Sequence, residues 1–161
     1  MKNCWICMAS FVLFSSTFAA GQSADPRPPR ASGYFFAAPG GTLGAATLHF
    51  GGGADILLKG GLGVSTELGY LAPFESLGEG IGVLSVGALY QFGPSRKTVP
   101  FVTGGYGLAF RGDTLNLVNF GGGVNHWFNE HWGLRIEGRV HTYPPEPAFS
   151  ILEVRFGIDI R

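Results

Sequence analysis

The chain closes on Ser150-Ile151-Leu152-Glu153-Val154-Arg155-Phe156-Gly157-Ile158-Asp159-Ile160-Arg161, and this stretch decides the fold. Leu152, Val154, Phe156, Ile158 and Ile160 share one face of an extended chain, while Glu153, Arg155, Gly157, Asp159 and Arg161 share the other. Side chains alternate sides only in a strand, so this period of two is a β signal. The preceding stretch repeats it, with Trp132, Leu134, Ile136 and Val140 set against Arg135, Glu137, Arg139 and His141.

Working back toward the N-terminus from these two strands, period two persists to Gly33, and no window shows helical i, i+3, i+4, i+7 spacing. Turn residues divide the chain into strands predicted at 33–39, 46–58, 61–72, 81–92, 99–110, 115–128, 132–143 and 150–160. Most have the length a tilted strand needs to cross a bilayer. The first is short and is followed at once by Pro39-Gly40-Gly41, so it carries least of the count of eight. Eight is the smallest usual closed barrel, and closure removes exposed sheet edges. The expected fold is all-β, an eight-stranded antiparallel up-and-down transmembrane β-barrel spanning 33–161.

Lys59-Gly60, Gly93 to Thr98 and Asn129-Glu130-His131 read as short periplasmic turns. Segments 40–45, 73–80, 111–114 and 144–149 read as outer loops, themselves short.

Alternation alone does not say which face meets water. Three features favour an apolar face turned to lipid. The polar face is rich in glycine (51, 53, 61, 63, 69, 105, 107, 121, 123), which suits the narrow interior of eight strands. Tyr70, Tyr90, Phe92, Phe128 and Trp132 fall near strand ends on the apolar face, where aromatic girdles mark the bilayer interfaces. The N-terminus carries an export signal: Lys2, then Phe11-Val12-Leu13-Phe14, then small residues around Ala19 and Ala20. Residues 1–20 read as a cleaved signal peptide, and the Pro-rich stretch 21–32 as a flexible leader.

The lumen then receives Asp55, Glu67, Glu137, Glu153 and Asp159 together with Arg135, Arg139, Arg155 and His141. Unpaired buried charge is expensive, so a mixed-sign network of Arg–carboxylate contacts is expected, plugging the barrel rather than leaving a pore.

Composition narrows the function further. Charged residues make up 14% of the 161-residue chain, well below the roughly 25% usual for soluble domains, and the formal charge is zero. Nothing here suggests a nucleic-acid binder. Cleavage removes Cys4 and Cys7, which excludes disulfide, redox and cysteine–metal chemistry from the mature chain.

Pro100-Phe101-Val102-Thr103-Gly104-Gly105-Tyr106-Gly107, Asn119-Phe120-Gly121-Gly122-Gly123-Val124, Trp132-Gly133-Leu134-Arg135-Ile136-Glu137-Gly138-Arg139 and the alternating final strand together carry a family resemblance. The chain resembles the small outer-membrane β-barrels related to the OmpA transmembrane domain and to OmpX. The resemblance implies an integral outer-membrane protein with both termini in the periplasm. Members commonly end on a Phe read by the barrel-insertion machinery; here Phe156 lies five residues short of Arg161. A peptidoglycan-binding domain like that of full-length OmpA relatives is not expected after the barrel.

No catalytic, cofactor or metal site is expected. A deacylase-type His-x-Ser is absent, since His126 is followed by Trp127 and Phe128. His49, His131 and His141 show no tight metal-ligand spacing in sequence. The Gly runs at 51–53 and 121–123 lack the helix and the Lys-Ser/Thr of a phosphate loop. Arg111-Gly112-Asp113 reads as turn chemistry rather than an adhesion tripeptide. His141 beside Glu137 and Arg139 reads as a satisfied lumen residue.

The sequence therefore points to a structural or surface-interaction protein of the outer membrane. Its expected partners are outer-membrane lipids, including lipopolysaccharide, the insertion machinery and an unidentified surface ligand. Two alternatives stand beside it. One is an enzyme acting on lipid A or phospholipid through His126 or His141 with Glu137; the other is a soluble exported lipocalin-like binder.

Overall fold

The computed structural model describes residues 31–42, 44–94, 96–145 and 150–161. The segments expected to be a signal peptide and, through residue 30, its leader lie outside the described residues. Eight antiparallel strands follow in order: β1 (Ala31–Thr42), β2 (Ala45–Leu57), β3 (Leu62–Pro73), β4 (Ile81–Gln91), β5 (Thr98–Phe110), β6 (Thr114–Trp127), β7 (Trp132–Thr142) and β8 (Ser150–Ile160). Each pairs with its sequence neighbours, and β8 pairs back onto β1, so the sheet closes.

β1 departs most from the sequence expectation. It begins two residues earlier, at Ala31, and runs on through Pro39-Gly40-Gly41 to Thr42. A proline has no N–H to give a ladder and is tolerated where one side is unpaired. Here β1 is paired with β2 throughout, while its ladder to β8 lapses at Ala38 and Pro39 and resumes at Gly40 in the same register. The expected loop at 40–45 therefore shrinks to residues 43–44, with Gly44 at φ 111°.

Register fixes the size of the barrel. Stepping between paired residues from Ala31 leads through Ile56, Val64, Ala88, Gly104, Phe120, Val140 and Leu152 to Gly41. The path returns to β1 ten residues further on, a shear of ten. Eight strands with this stagger tilt by roughly 40° and enclose a lumen filled by side chains. Strands of 11–14 residues at that tilt rise about 25–35 Å, enough to span an apolar band.

Residues 58–61, 92–97 and 128–131 connect strands at the end that also holds Ala31 and Ile160 (the turn end). Asn129 shapes the last of these connections, its Oδ1 accepting from the backbone N–H of His131 and Trp132 at 2.8 Å each. Residues 74–80 and 111–113 connect at the opposite, loop end, where β1 and β7 also finish. In the 111–113 hairpin Gly112 takes φ 127°, so Arg111-Gly112-Asp113 forms a turn there. Within 74–80 a 3-10 turn, Leu77–Glu79, is held by Tyr70, whose hydroxyl donates to the Leu77 carbonyl and accepts from the Gly80 N–H, both at 2.9 Å.

Polarity is inverted relative to a water-soluble protein. Among the described residues twenty-eight large hydrophobic side chains are exposed, including Phe35, Leu68, Val86, Phe120, Leu152 and Phe156, and they occur on every strand. All five lumen carboxylates and all three lumen arginines are buried. Water would penalise so large an apolar belt, whereas hydrocarbon solvates it.

Candidate functional site

The lumen is layered. At the turn end Leu57, Leu89 and Phe101 pack together and Trp127 lies buried nearby, with the Arg161 guanidinium 3.6 Å from the Trp127 ring centroid. At the loop end Leu71, Val83, Ala109, Leu117 and Ile151 form a second apolar cluster joined by Ile81 and Tyr143. The charged residues fill the space between.

There they form one connected chain. Arg135 donates from Nη1 to Asp55 at 2.8 Å and from Nε to Glu137 at 3.0 Å, with Asp159 4.0 Å away. Its guanidinium lies between the rings of Tyr34 and Phe101, 4.3 and 4.2 Å from their centroids. Arg139 donates from Nε to Glu137 at 2.6 Å and from Nη1 to Glu67 at 3.1 Å. Arg155 donates from Nη1 to the same Glu67 oxygen at 2.5 Å, and its Nε bonds Glu153. The Tyr34 hydroxyl is a further donor to that oxygen, at 3.0 Å. Charge-assisted bonds of this kind are roughly twice as strong as neutral ones, and a filled network fixes strand register.

At the upper edge of the network stands a group that sequence spacing does not reveal. His49 on β2 and His141 on β7 meet at 5.8 Å between ring centroids, both against Glu153 on β8. His49 Nδ1 is 3.0 Å from Glu153 Oε2, and His141 Nε2 is 3.1 Å from Oε1. Barrel closure thus brings together two histidines whose spacing in the sequence shows no metal-ligand pattern. His141 bonds Glu153, whereas Glu137, read beside it in the sequence, bonds Arg135 and Arg139. Two imidazoles and a carboxylate are a plausible donor set for a transition metal. Here Arg155 already supplies the cation, its Nη2 lying 3.3 Å from both facing imidazole nitrogens.

Glycines make the space that these side chains occupy. A Cβ on Gly53 would meet the Tyr34 ring at 2.5 Å, and one on Gly69 would collide with His49 Nε2. Gly69→Ala is therefore expected to displace His49 and to destabilise the barrel by about 1–3 kcal/mol, as overpacking does. Gly138→Ala, on the outer face with nothing near the added methyl, should change stability by less than about 0.5 kcal/mol. Urea midpoints in lipid vesicles check both. Of the glycines expected on the inner face, Gly61 instead takes φ 89° in the 58–61 turn.

The remaining sequence-selected residues lie apart from this network. Tyr90, Phe92, Phe128 and Trp132 ring the outside of the turn end, and Tyr90 and Phe92 meet edge to face with ring centroids 4.9 Å apart. Tyr70 is at the loop end, where Phe50, Phe74, Tyr106 and Phe110 are also exposed. His126 is on the outer face near the turn end, bonded to Thr98 Oγ1 at 2.8 Å. His126 therefore joins neither His141 nor Glu137.

No protein-family model matches the chain, and no curated protein matches it. Solved structures do match. The N-terminal β-barrel domain of Pseudomonas aeruginosa OprF matches with a TM-score of 0.62 at 16% identity, over 83% of this chain and 98% of that one. The chain has the fold of small outer-membrane barrels. A barrel from the de novo design of transmembrane β-barrels matches at TM-score 0.61 and 16% identity, over 83% of this chain and 96% of that one. The outer-membrane enzyme PagL matches at 0.55 and 16%, over 80% of this chain and 99% of that one. A designed barrel, one domain of a larger protein and an enzyme share this architecture, so the fold by itself assigns no activity.

Proposed function

We propose that this chain is an integral outer-membrane β-barrel, akin to the OmpA transmembrane domain and OmpX, with a structural or surface-interaction role. The inverted polarity carries this reading: an apolar belt outside, and a buried Arg–carboxylate chain where a channel would run. The signal peptide directs the chain out of the cytoplasm, both ends of the barrel stay periplasmic, and the loop end faces outward. Its belt is solvated by outer-membrane lipid, lipopolysaccharide surrounds the loop end, and the alternating β8 is read by the insertion machinery. Membrane fractionation with heat-dependent mobility on a detergent gel tests this. A folded band that shifts on boiling and stays with the membrane is expected; a chain soluble without detergent defeats the proposal and restores the lipocalin-like alternative.

A filled lumen also predicts electrical silence. Purified protein in a planar bilayer should show no steady, large conductance, since only larger barrels hold open channels. The enzyme alternative requires His126 or His141 to act with Glu137. His126 lies on the outer face near the turn end, whereas His141 and Glu137 are buried and bond to different partners. Lipid A mass spectra from cells with and without the protein are expected to coincide; a lost acyl chain would reinstate catalysis.

A further inference from the structure

The loop-end apolar layer does not fill its space. Leu71, Ile81, Ala109, Leu117 and Ile151 wall a cavity of about 220 Å³ inside the barrel mouth. An apolar cavity of roughly 150 Å³ is enough to hold benzene, while drug-sized ligands need about 300 Å³ or more. The volume therefore selects a ligand of one ring or a short chain. His141 also lines the cavity, and its Nδ1 has no hydrogen-bond partner although the side chain is buried. A buried polar atom in this state is unusual and calls for an explanation.

From the wall and this nitrogen together, we infer that the mouth is a binding site for a small, neutral, apolar molecule bearing one hydroxyl, such as a simple phenol or short alkanol. The tautomer sets the hydroxyl's role. His141 Nε2 faces both the Glu153 carboxylate at 3.1 Å and the Arg155 guanidinium at 3.3 Å, so each tautomer of the ring finds a partner there. A hydroxyl serves both: its O–H donates to Nδ1 in one tautomer, and its oxygen accepts from Nδ1–H in the other. A carboxylate ligand would add charge beside Glu153. A purely apolar ligand fills the cavity and leaves Nδ1 unsatisfied.

The probe is 4-methylphenol, with toluene as the match that lacks the hydroxyl. Each is titrated into methyl-labelled protein in phospholipid nanodiscs and followed by NMR at Leu71, Ile81, Leu117 and Ile151. Saturable shifts are expected at these methyls, with 4-methylphenol binding about tenfold tighter than toluene, the size of one buried hydrogen bond. His141→Phe should weaken 4-methylphenol about tenfold and leave toluene unchanged, while Ala109→Phe should abolish binding of both. Each variant is first shown to be folded by its heat-dependent mobility. If a variant does not fold, the wild-type comparison of the two probes decides. Shifts that never saturate, equal affinity for both probes, or unchanged binding to a folded Ala109→Phe protein would overturn the inference.

Discussion

Replacing Arg135 with methionine is expected to destabilise the barrel by about 3–5 kcal/mol, because breaking a buried ion pair leaves an uncompensated charge. Methionine keeps much of the side-chain length, so the slot between the Tyr34 and Phe101 rings stays partly filled. The donors are lost. Asp55 loses a 2.8 Å bond and Asp159 its nearest guanidinium, both in sites closed to solvent. Glu137 fares better, because Arg139 still donates to it at 2.6 Å. The effect should therefore concentrate on Asp55.

That asymmetry gives a sharper test than the single variant. Adding Asp55→Asn to Arg135→Met removes the stranded charge while conserving shape, and should restore stability by about 0.5–3 kcal/mol, the usual coupling between residues in contact. Arg96→Met, at the exposed 92–97 connection, should stay within about 0.5 kcal/mol of wild type. Urea unfolding in lipid vesicles measures all three. An Arg135→Met barrel as stable as wild type would mean that the network is decoration on a fold secured elsewhere.

β7 and β8 were legible in the sequence because charge and bulk alternate there without a break, as with Leu134, Ile136 and Val140 against Arg135, Glu137 and Arg139. Most strand bounds lie within a residue or two of expectation. β1 was harder, since Pro39-Gly40-Gly41 is ordinarily a stop signal, and only the lapse in its ladder to β8 explains how the strand continues. His49 was legible in parity, sharing a face with Gly51, Gly53 and Asp55, but not in partnership: Glu153 lies 104 residues away and meets it only on closure. The apolar cavity was hidden for another reason. Leu71, Val83, Leu117 and Ile151 point inward near strand ends, where the polar-in, apolar-out alternation no longer holds.

The second large effect concerns the outer face. Val86 is the sixth of the eleven residues of β4, half exposed between Thr66 and Tyr106, and so lies near mid-height of the belt. Val86→Arg is expected to destabilise the barrel by about 2–4 kcal/mol if hydrocarbon solvates this face, falling to about 0–1 kcal/mol for an interfacial site. Leu62 supplies that site, as the first residue of β3 at the turn end, facing outward beside Tyr90. In a water-soluble barrel both positions would be ordinary surface, and each change would stay within about 0.5 kcal/mol. The gradient between Val86→Arg and Leu62→Arg, read from urea unfolding in phosphatidylcholine vesicles, is therefore diagnostic, since general damage to β4 or β3 has no reason to follow depth. Two small and equal changes would mean that water meets the apolar belt, and the membrane assignment would fall with it.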